Sequence, residues 1–203
     1  MKCLYVTDRR AIGDDAFRRL LRELSGAKQL TVELREKESA DREVLAWARS
    51  AKQELGPEVP VLVNRRLDVA LAAGANGVHL PADGLPLPRI RAAAPRGTRV
   101  GVSTHSAAEA IRAIEEQADV VVIGPIFQTP SKTSYGPPLG TRSLEDLPPR
   151  GAHGAEVFAI GGIDESRLEE LARFGDRISG VAAVRLVQHA ADPRAVVERI
   201  GRL

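Results

Sequence analysis

Eight short, nearly unbroken apolar runs alternate along the chain with stretches of helical periodicity, and this alternation limits the fold more than any other feature. The runs are Cys3–Thr7, Gln29–Leu34, Val59–Val63, Gly77–Leu80, Thr98–Val102, Asp119–Ile123, Glu156–Ile160 and Ile178–Ala182. Short continuous apolar runs of this kind are expected of strands buried on both faces of a parallel sheet. Between them, Asp14–Ser25 sets Phe17, Leu20, Leu21 and Leu24 at helical spacing, and Asp41–Leu55 does the same with Val44, Leu45, Ala48 and Leu55. Ser106–Glu116 opens on a capping box, with Glu109 three residues after Ser106. Asp164–Phe174 opens on an aspartate cap, and Asp192–Ile200 carries Pro193 at its first helical position. Arg66–Ala73 and Pro86–Ala93 are shorter helical patterns. Strand–helix–strand alternation requires crossovers, so the sheet is parallel and its connections right-handed. Eight units favour closure over an open doubly wound sheet, which more often has five or six strands. The expected fold is α/β, a single (β/α)₈ TIM barrel filling residues 1–203 as one domain, near the lower size limit for that architecture.

Composition narrows the partners. The 203 residues hold 29 basic and 27 acidic side chains, a formal net charge of +2, with no Lys/Arg block and only 3% aromatics. The chain therefore lacks both the electrostatic footprint and the stacking surface of a nucleic-acid binder. No apolar run approaches the roughly 18 residues of a membrane helix, and the N-terminus has no signal-peptide layout. A lone cysteine, Cys3, precludes an internal disulfide and suits a reducing compartment, so a cytoplasmic location is expected. Cys3 lies in the first apolar run and reads as a buried structural thiol. The sequence leaves a homo-oligomer open.

Barrels do their chemistry in the loops that follow the strands, and four of those places carry polar residues. After the second run, Glu33-Leu34-Arg35-Glu36-Lys37 puts Glu33, Arg35 and Lys37 on one side and Leu34 and Glu36 on the other. Two cations at a barrel mouth suit an anion: arginine offers a planar fork, lysine a mobile point charge. After the fifth run, Ser103-Thr104-His105-Ser106 leads into a helix start, with Ser106 as its cap and Ser103 the better candidate for a ligand contact. After the sixth, Gly124–Gly140 is a long irregular stretch containing Pro125, Pro130, Pro137 and Pro138, in which Thr129, Ser131 and Lys132 could wrap a phosphate. After the seventh comes Gly161-Gly162, and after the eighth Ala182-Ala183-Val184-Arg185, on the loops that often form a phosphate site in barrels. Each motif alone also reads as a solvated charge run, a cap or a turn. Together they suggest two anion subsites, one on loops two, five and six, the other on loops seven and eight.

In this order the motifs resemble the thiamine phosphate synthase/TenI family over nearly the whole chain. The matching residues are Tyr5-Val6-Thr7-Asp8, Leu34-Arg35-Glu36-Lys37, Asn64 with Asp68, Gly77-Val78-His79-Leu80, Gly101 to His105, Gly124-Pro125-Ile126-Phe127 with Thr129-Pro130-Ser131-Lys132, and Ala159 to Ile163. The synthases join a pyrimidine methyl pyrophosphate to a thiazole phosphate, release pyrophosphate and use Mg²⁺. The resemblance implies that Arg35, Lys37, Asn64, Ser103, Thr129, Ser131 and Lys132 line the pyrimidine–pyrophosphate region. It implies that Gly161, Gly162, Ala183 and Val184 hold the thiazole phosphate.

The chain also departs from the synthase pattern. Arg65 stands where synthases carry a metal-binding Asp, and Gly84 where they carry a second one; Asp83, one position early, is the candidate to compensate. Glu33 replaces a glutamine. Mg²⁺ wants oxygen ligands, and an arginine in place of a carboxylate removes one and adds repulsion. These losses favour a TenI-like reading: thiazole tautomerase-type isomerisation, independent of metal and cofactor, needing an acid/base group. His105 and His79 are the candidates, because Pro125 occupies the place where that branch often has a histidine. His153 and His189 read as surface residues. The alternatives are an active thiamine phosphate synthase, a transferase with Mg²⁺, and a non-catalytic thiazole-phosphate binding or regulatory protein.

Overall fold

The computed structural model describes residues 1–129 and 137–203. Eight strands close into a barrel in sequence order, every neighbouring pair parallel: β1 (Lys2–Val6), β2 (Leu30–Leu34), β3 (Val61–Asn64), β4 (Gly77–Leu80), β5 (Arg99–Thr104), β6 (Val120–Ile123), β7 (Glu156–Ile160) and β8 (Gly180–Ala183). The helices between them are α1 (Arg9–Ile12), α2 (Asp14–Glu23), α3 (Asp41–Leu55), α4 (Leu67–Ala72), α5 (Leu87–Ala93), α6 (Ala107–Glu115), α7 (Glu165–Ala172), α8 (Arg185–Gln188) and α9 (Pro193–Arg202). The expected (β/α)₈ fold is the observed one.

Two-residue periodicity divides each strand between two cores. Leu4, Val6, Leu62, Val120, Val122, Phe158 and Ala182 meet inside the barrel. Their sequence neighbours, among them Tyr5, Val63, Val121 and Val181, join Phe17, Leu21, Trp47, Leu168 and Ile200 of the helices in the larger outer core. Cys3 belongs to this outer layer, and burial pushes its thiol up to about 12, so it stays protonated and inert. The N-terminal end of the barrel is crossed by ion pairs: Glu156, the first residue of β7, accepts from Lys2 and, at 2.8 Å, from Arg99. Burial opposes charge on Glu156, but these two cations prevail and hold its carboxyl below the usual range.

Strand starts differ slightly from the apolar runs. β3 begins at Val61 rather than Val59 because Pro60 has no N–H to give the ladder, although its carbonyl accepts from Val32 N at 2.9 Å. β8 begins at Gly180 rather than Ile178; a Cβ on Gly180 would lie 1.8 Å from the Lys2 carbonyl of β1. The Ser106 half of the capping box forms, Glu109 N donating to Ser106 Oγ at 3.2 Å, while the Glu109 carboxylate accepts from His105 N at 2.7 Å, one residue before the cap. Asp192 caps α9 through Ala195 N. Asp164 occupies the cap position of α7, but its carboxylate makes no capping bond and instead accepts from Ser166 Oγ. Among the described residues no helix is long and apolar enough to cross a membrane.

Candidate active site

A cavity of about 1190 Å³ opens at the C-terminal ends of the strands. Its floor is set by inward-facing residues one layer above the apolar interior. Glu33 of β2, buried to 4% exposure, accepts from Asn64 Nδ2 of β3 at 2.9 Å. His79 of β4 is fully buried, 2.9 Å from Ser103 Oγ of β5 and 3.8 Å from the Glu33 carboxylate. Room for this ring comes from Gly101: a Cβ there would lie 2.3 Å from His79 Nδ1.

The rim beside β2 and β3 is basic. Arg35 and Lys37 line the cavity, as the alternation of Glu33-Leu34-Arg35-Glu36-Lys37 requires, while Leu34 is buried in the outer core. Glu36, facing away, accepts from Arg9 Nε at 3.0 Å; Arg9 also binds Asp14, Ser39 and, at 2.6 Å, Glu43, and lies over the Trp47 ring. Thr7 Oγ1 accepts from Arg35 N at 2.9 Å and ties the same loop to β1. Arg65 completes the rim. Its Nη2 donates to Asp83 at 2.8 Å, and both residues line the cavity. The charge of Arg35, then partial burial, then the charge of Arg65 lower the pKa of Lys37 below the ordinary lysine value.

Across the mouth, loops seven and eight supply Gly161, Gly162, Ala183, Val184, Arg185 and, from α7, Arg167. Both glycines have positive φ, +103° and +64°, and added side chains would meet Pro125 at 2.6 Å and the Gln128 carbonyl at 2.4 Å. Close approach of the loop after β6 therefore demands glycine at both positions. That loop runs beside β7, with Ile126 N and Phe127 N donating to the carbonyls of Ile160 and Gly161, and its far end returns through Leu139 N to Pro125 O and Gly140 N to Ile126 O. Arg167 donates to the Gly162 carbonyl and stacks 4.4 Å over Phe127. A Gln188 side chain joins α8 to β1, accepting from Tyr5 Oη at 2.7 Å and Asp8 N at 3.0 Å and donating to Asp8 O at 2.9 Å.

Of the residues singled out from sequence, Arg35, Lys37, Asn64, Ser103, His105, Thr129, Gly161, Gly162, Ala183, Val184 and Asp83 all line this one cavity. Ser131 and Lys132 lie outside the described residues. Ser103, the candidate ligand contact of its loop, shares its hydroxyl with His79. His79 lies beneath the cavity lining, as a packed strand-end histidine would. His105 is at the wall, its Nδ1 2.7 Å from the Gly124 carbonyl. A carbonyl oxygen only accepts, so Nδ1 is the donor in this bond. The sequence reading missed Arg167, which sits three residues beyond its helix cap and reaches back over the loop, and Arg9, whose partners come from three separate segments.

At the rim beside β3 and β4 the arrangement of Asp83 does not fit a divalent metal. Among the described residues no three His, Cys, Asp or Glu side chains cluster as a ligand set. Asp83, the candidate compensating ligand, holds the Arg65 guanidinium instead. Mg²⁺ binds through oxygen ligands, and the surroundings of Asp83 are cationic.

A closed parallel barrel with a cation-rimmed cavity at its C-terminal mouth defines the class: a (β/α)₈ protein suited to small anionic ligands. The family follows from comparison with known proteins. Residues 3–187 match the family model described as thiamine monophosphate synthase, and the chain belongs to that family of enzymes. It is 37% identical over 195 residues to a putative thiamine-phosphate synthase of Geobacter sulfurreducens, covering 93% of this chain and 87% of the relative. A thiamine-phosphate synthase of Methanoculleus marisnigri is 36% identical over 200 residues, covering 97% and 92%. Among solved structures, a thiamine phosphate pyrophosphorylase from Pyrococcus furiosus superposes with a TM-score of 0.81 at 26% identity, covering 99% and 94% of the two chains. A 2-keto-3-deoxy-6-phosphogluconate aldolase from Zymomonas mobilis, 16% identical with a TM-score of 0.60 and covering 99% and 90%, shares the barrel.

Proposed function

We propose that this protein is a thiamine phosphate synthase that joins a pyrimidine methyl pyrophosphate to a thiazole phosphate. The observation that carries this reading is one cavity with a basic cluster at each end: Arg35, Lys37 and Arg65 beside β2 and β3, and Arg167 with Arg185 beside β7 and β8. At about 1190 Å³ it exceeds the roughly 300–1,000 Å³ of ordinary small-ligand sites, so two substrates have room side by side. The names of the similar proteins favour this reading over the TenI-like tautomerase.

In this reading the pyrophosphate lies against Arg35, Lys37 and Arg65, and the thiazole phosphate against Gly162 and the loop Ala183-Val184-Arg185. The bond between the pyrimidine methylene carbon and the pyrophosphate oxygen breaks, and the oxygen leaves with the electron pair. The thiazole nitrogen supplies the pair for the new C–N bond and becomes quaternary. No proton has to move, so the work of the protein is to neutralise the departing charge and hold the two reactants in line. Preorganised cations serve the first task. Asn64 and Ser103, fixed by Glu33 and His79, serve the second by shaping the floor beneath the pyrimidine.

The tautomerase reading keeps one supporting observation, the His105 side chain at the cavity wall. The test supplies purified protein with both synthase substrates and, separately, with the non-aromatic thiazole carboxylate phosphate. Thiamine phosphate formation that Arg35→Ala lowers by about a hundredfold in kcat/KM supports the synthase, as expected for loss of one preorganised donor. Turnover of the carboxylate alone, abolished in His105→Ala, would establish the tautomerase instead.

A further inference from the structure

Arg65 is a side chain on left-handed backbone, φ +64°, at the end of β3. That conformation costs a non-glycine residue about 1 kcal/mol and is taken most readily by Asn or Asp. It is held by two bonds, Arg65 N to His79 O and Arg66 N to Asn64 O, both 2.8 Å. The result is a guanidinium on the same cavity rim as Arg35 and Lys37, close enough for its charge to be felt at Lys37. Three like charges repel one another unless an anion joins them. Among the described residues the carboxylate hydrogen-bonded to this cluster is Asp83, which is exposed and engages a single edge of the Arg65 fork at 2.8 Å, while buried Glu33 acts on Lys37 through its charge. Such a surface pair contributes little to stability, so in the protein alone Asp83 and the charge of Glu33 offset only part of the mutual repulsion.

We infer that Arg65, steadied by Asp83, does the charge-neutralising work of a divalent cation, so that this chain binds the pyrophosphate group without metal. The inference rests on the synthase reading for the identity of that group. A guanidinium offers two parallel N–H donors to adjacent phosphate oxygens. With Arg35 and Lys37 it supplies three positive charges against a pyrophosphate. A metal would have to displace Arg65 from Asp83 and sit among these cations.

The test is calorimetric titration of the whole protein with inorganic pyrophosphate, once in EDTA and once in excess Mg²⁺. The wild type is expected to bind in EDTA, with no gain in affinity from Mg²⁺. Arg65→Asn, which suits the left-handed backbone, is expected to weaken binding in EDTA by about tenfold. Arg65→Asp, which sets a second carboxylate beside Asp83, is expected to bind pyrophosphate only with Mg²⁺. Wild-type binding that appears only with Mg²⁺, or an Arg65→Asn variant that binds as well as wild type in EDTA, overturns the inference. The outcomes separate from those of the synthase reading. Synthase turnover abolished by EDTA would overturn the metal-free inference and leave the function standing. Metal-free pyrophosphate binding without any synthase turnover would do the reverse.

Discussion

Glu36 turns its carboxylate away from the cavity onto Arg9, 3.0 Å away, while its neighbours Arg35 and Lys37 face in. Both paired side chains are almost completely buried, at 7% and 2% exposure. Burial raises the pKa of Glu36, Arg9 works against it, and the pair locks the backbone between the two inward cations. Removing one partner leaves a buried charge uncompensated. Arg9→Ala is expected to cost about 3 kcal/mol of stability, read from the urea midpoint. It is also expected to weaken anion binding although Arg9 itself does not line the cavity. An unchanged midpoint would show that the buried pair adds nothing to stability.

Gly162 shows what the close approach of two loops demands. Its φ of +64° and the Gln128 carbonyl 2.4 Å from a would-be Cβ leave no space for a side chain. Gly162→Ala is expected to lower stability by about 2 kcal/mol or more, through backbone strain and displacement of the Gln128 segment. The matching measurement is thermal unfolding, with phosphate-dependent stabilisation recorded for both proteins. A variant as stable as wild type would mean the loop after β6 yields without cost.

Lys37 gives the cavity a pH dependence. Arg35, burial and Arg65 all favour its neutral form, so its proton leaves below the ordinary 10.5 of lysine. Only the protonated amine attracts an anion. Pyrophosphate affinity is therefore expected to fall as pH rises through the lowered pKa, and binding near that pH is expected to take up protons. Calorimetry in buffers of different ionisation enthalpy reads that uptake directly. Arg35→Ala removes the largest cause and is expected to move the fall in affinity to higher pH.

Glu156 gives the barrel base a pH dependence of opposite kind. Its folded pKa is depressed by Lys2 and Arg99, so the stabilisation is complete above the unfolded value of 4.5 and is lost as pH falls through the lower folded value. Glu156→Gln is expected to cost about 1–2 kcal/mol at neutral pH and almost nothing in acid, once Glu156 is protonated. Urea midpoints of both proteins across acid pH test this. An equal cost at every pH would assign the effect to packing.

How far the sequence could be read follows from the reach of each interaction. Strand and helix order was legible because periodicity is local, and Glu33, Arg35 and Lys37 shared a side because alternation along a strand leaves no choice. The Ser106 half of the capping box spans one helical turn and was legible for the same reason. The bond between His79 and Ser103 was not, since it depends on the register that sets His79 opposite Gly101 and on the space that glycine leaves. Arg167 was not singled out, because only the folded loop puts Phe127 and the Gly162 carbonyl beneath it. The change of Arg65 from a lost ligand to a partner of Asp83 needed the positive φ at its backbone, which nothing in the sequence of an arginine announces.

The most direct test of the central claim follows the phosphorus atoms of both substrates by ³¹P NMR in a single turnover with purified protein. The account predicts that the pyrophosphate ester signals convert to free pyrophosphate only when thiazole phosphate is present. The phosphate of the thiazole should remain esterified and appear in thiamine phosphate, one for each pyrophosphate released. Substrate signals that stay unchanged, or pyrophosphate released without thiazole phosphate, would contradict it.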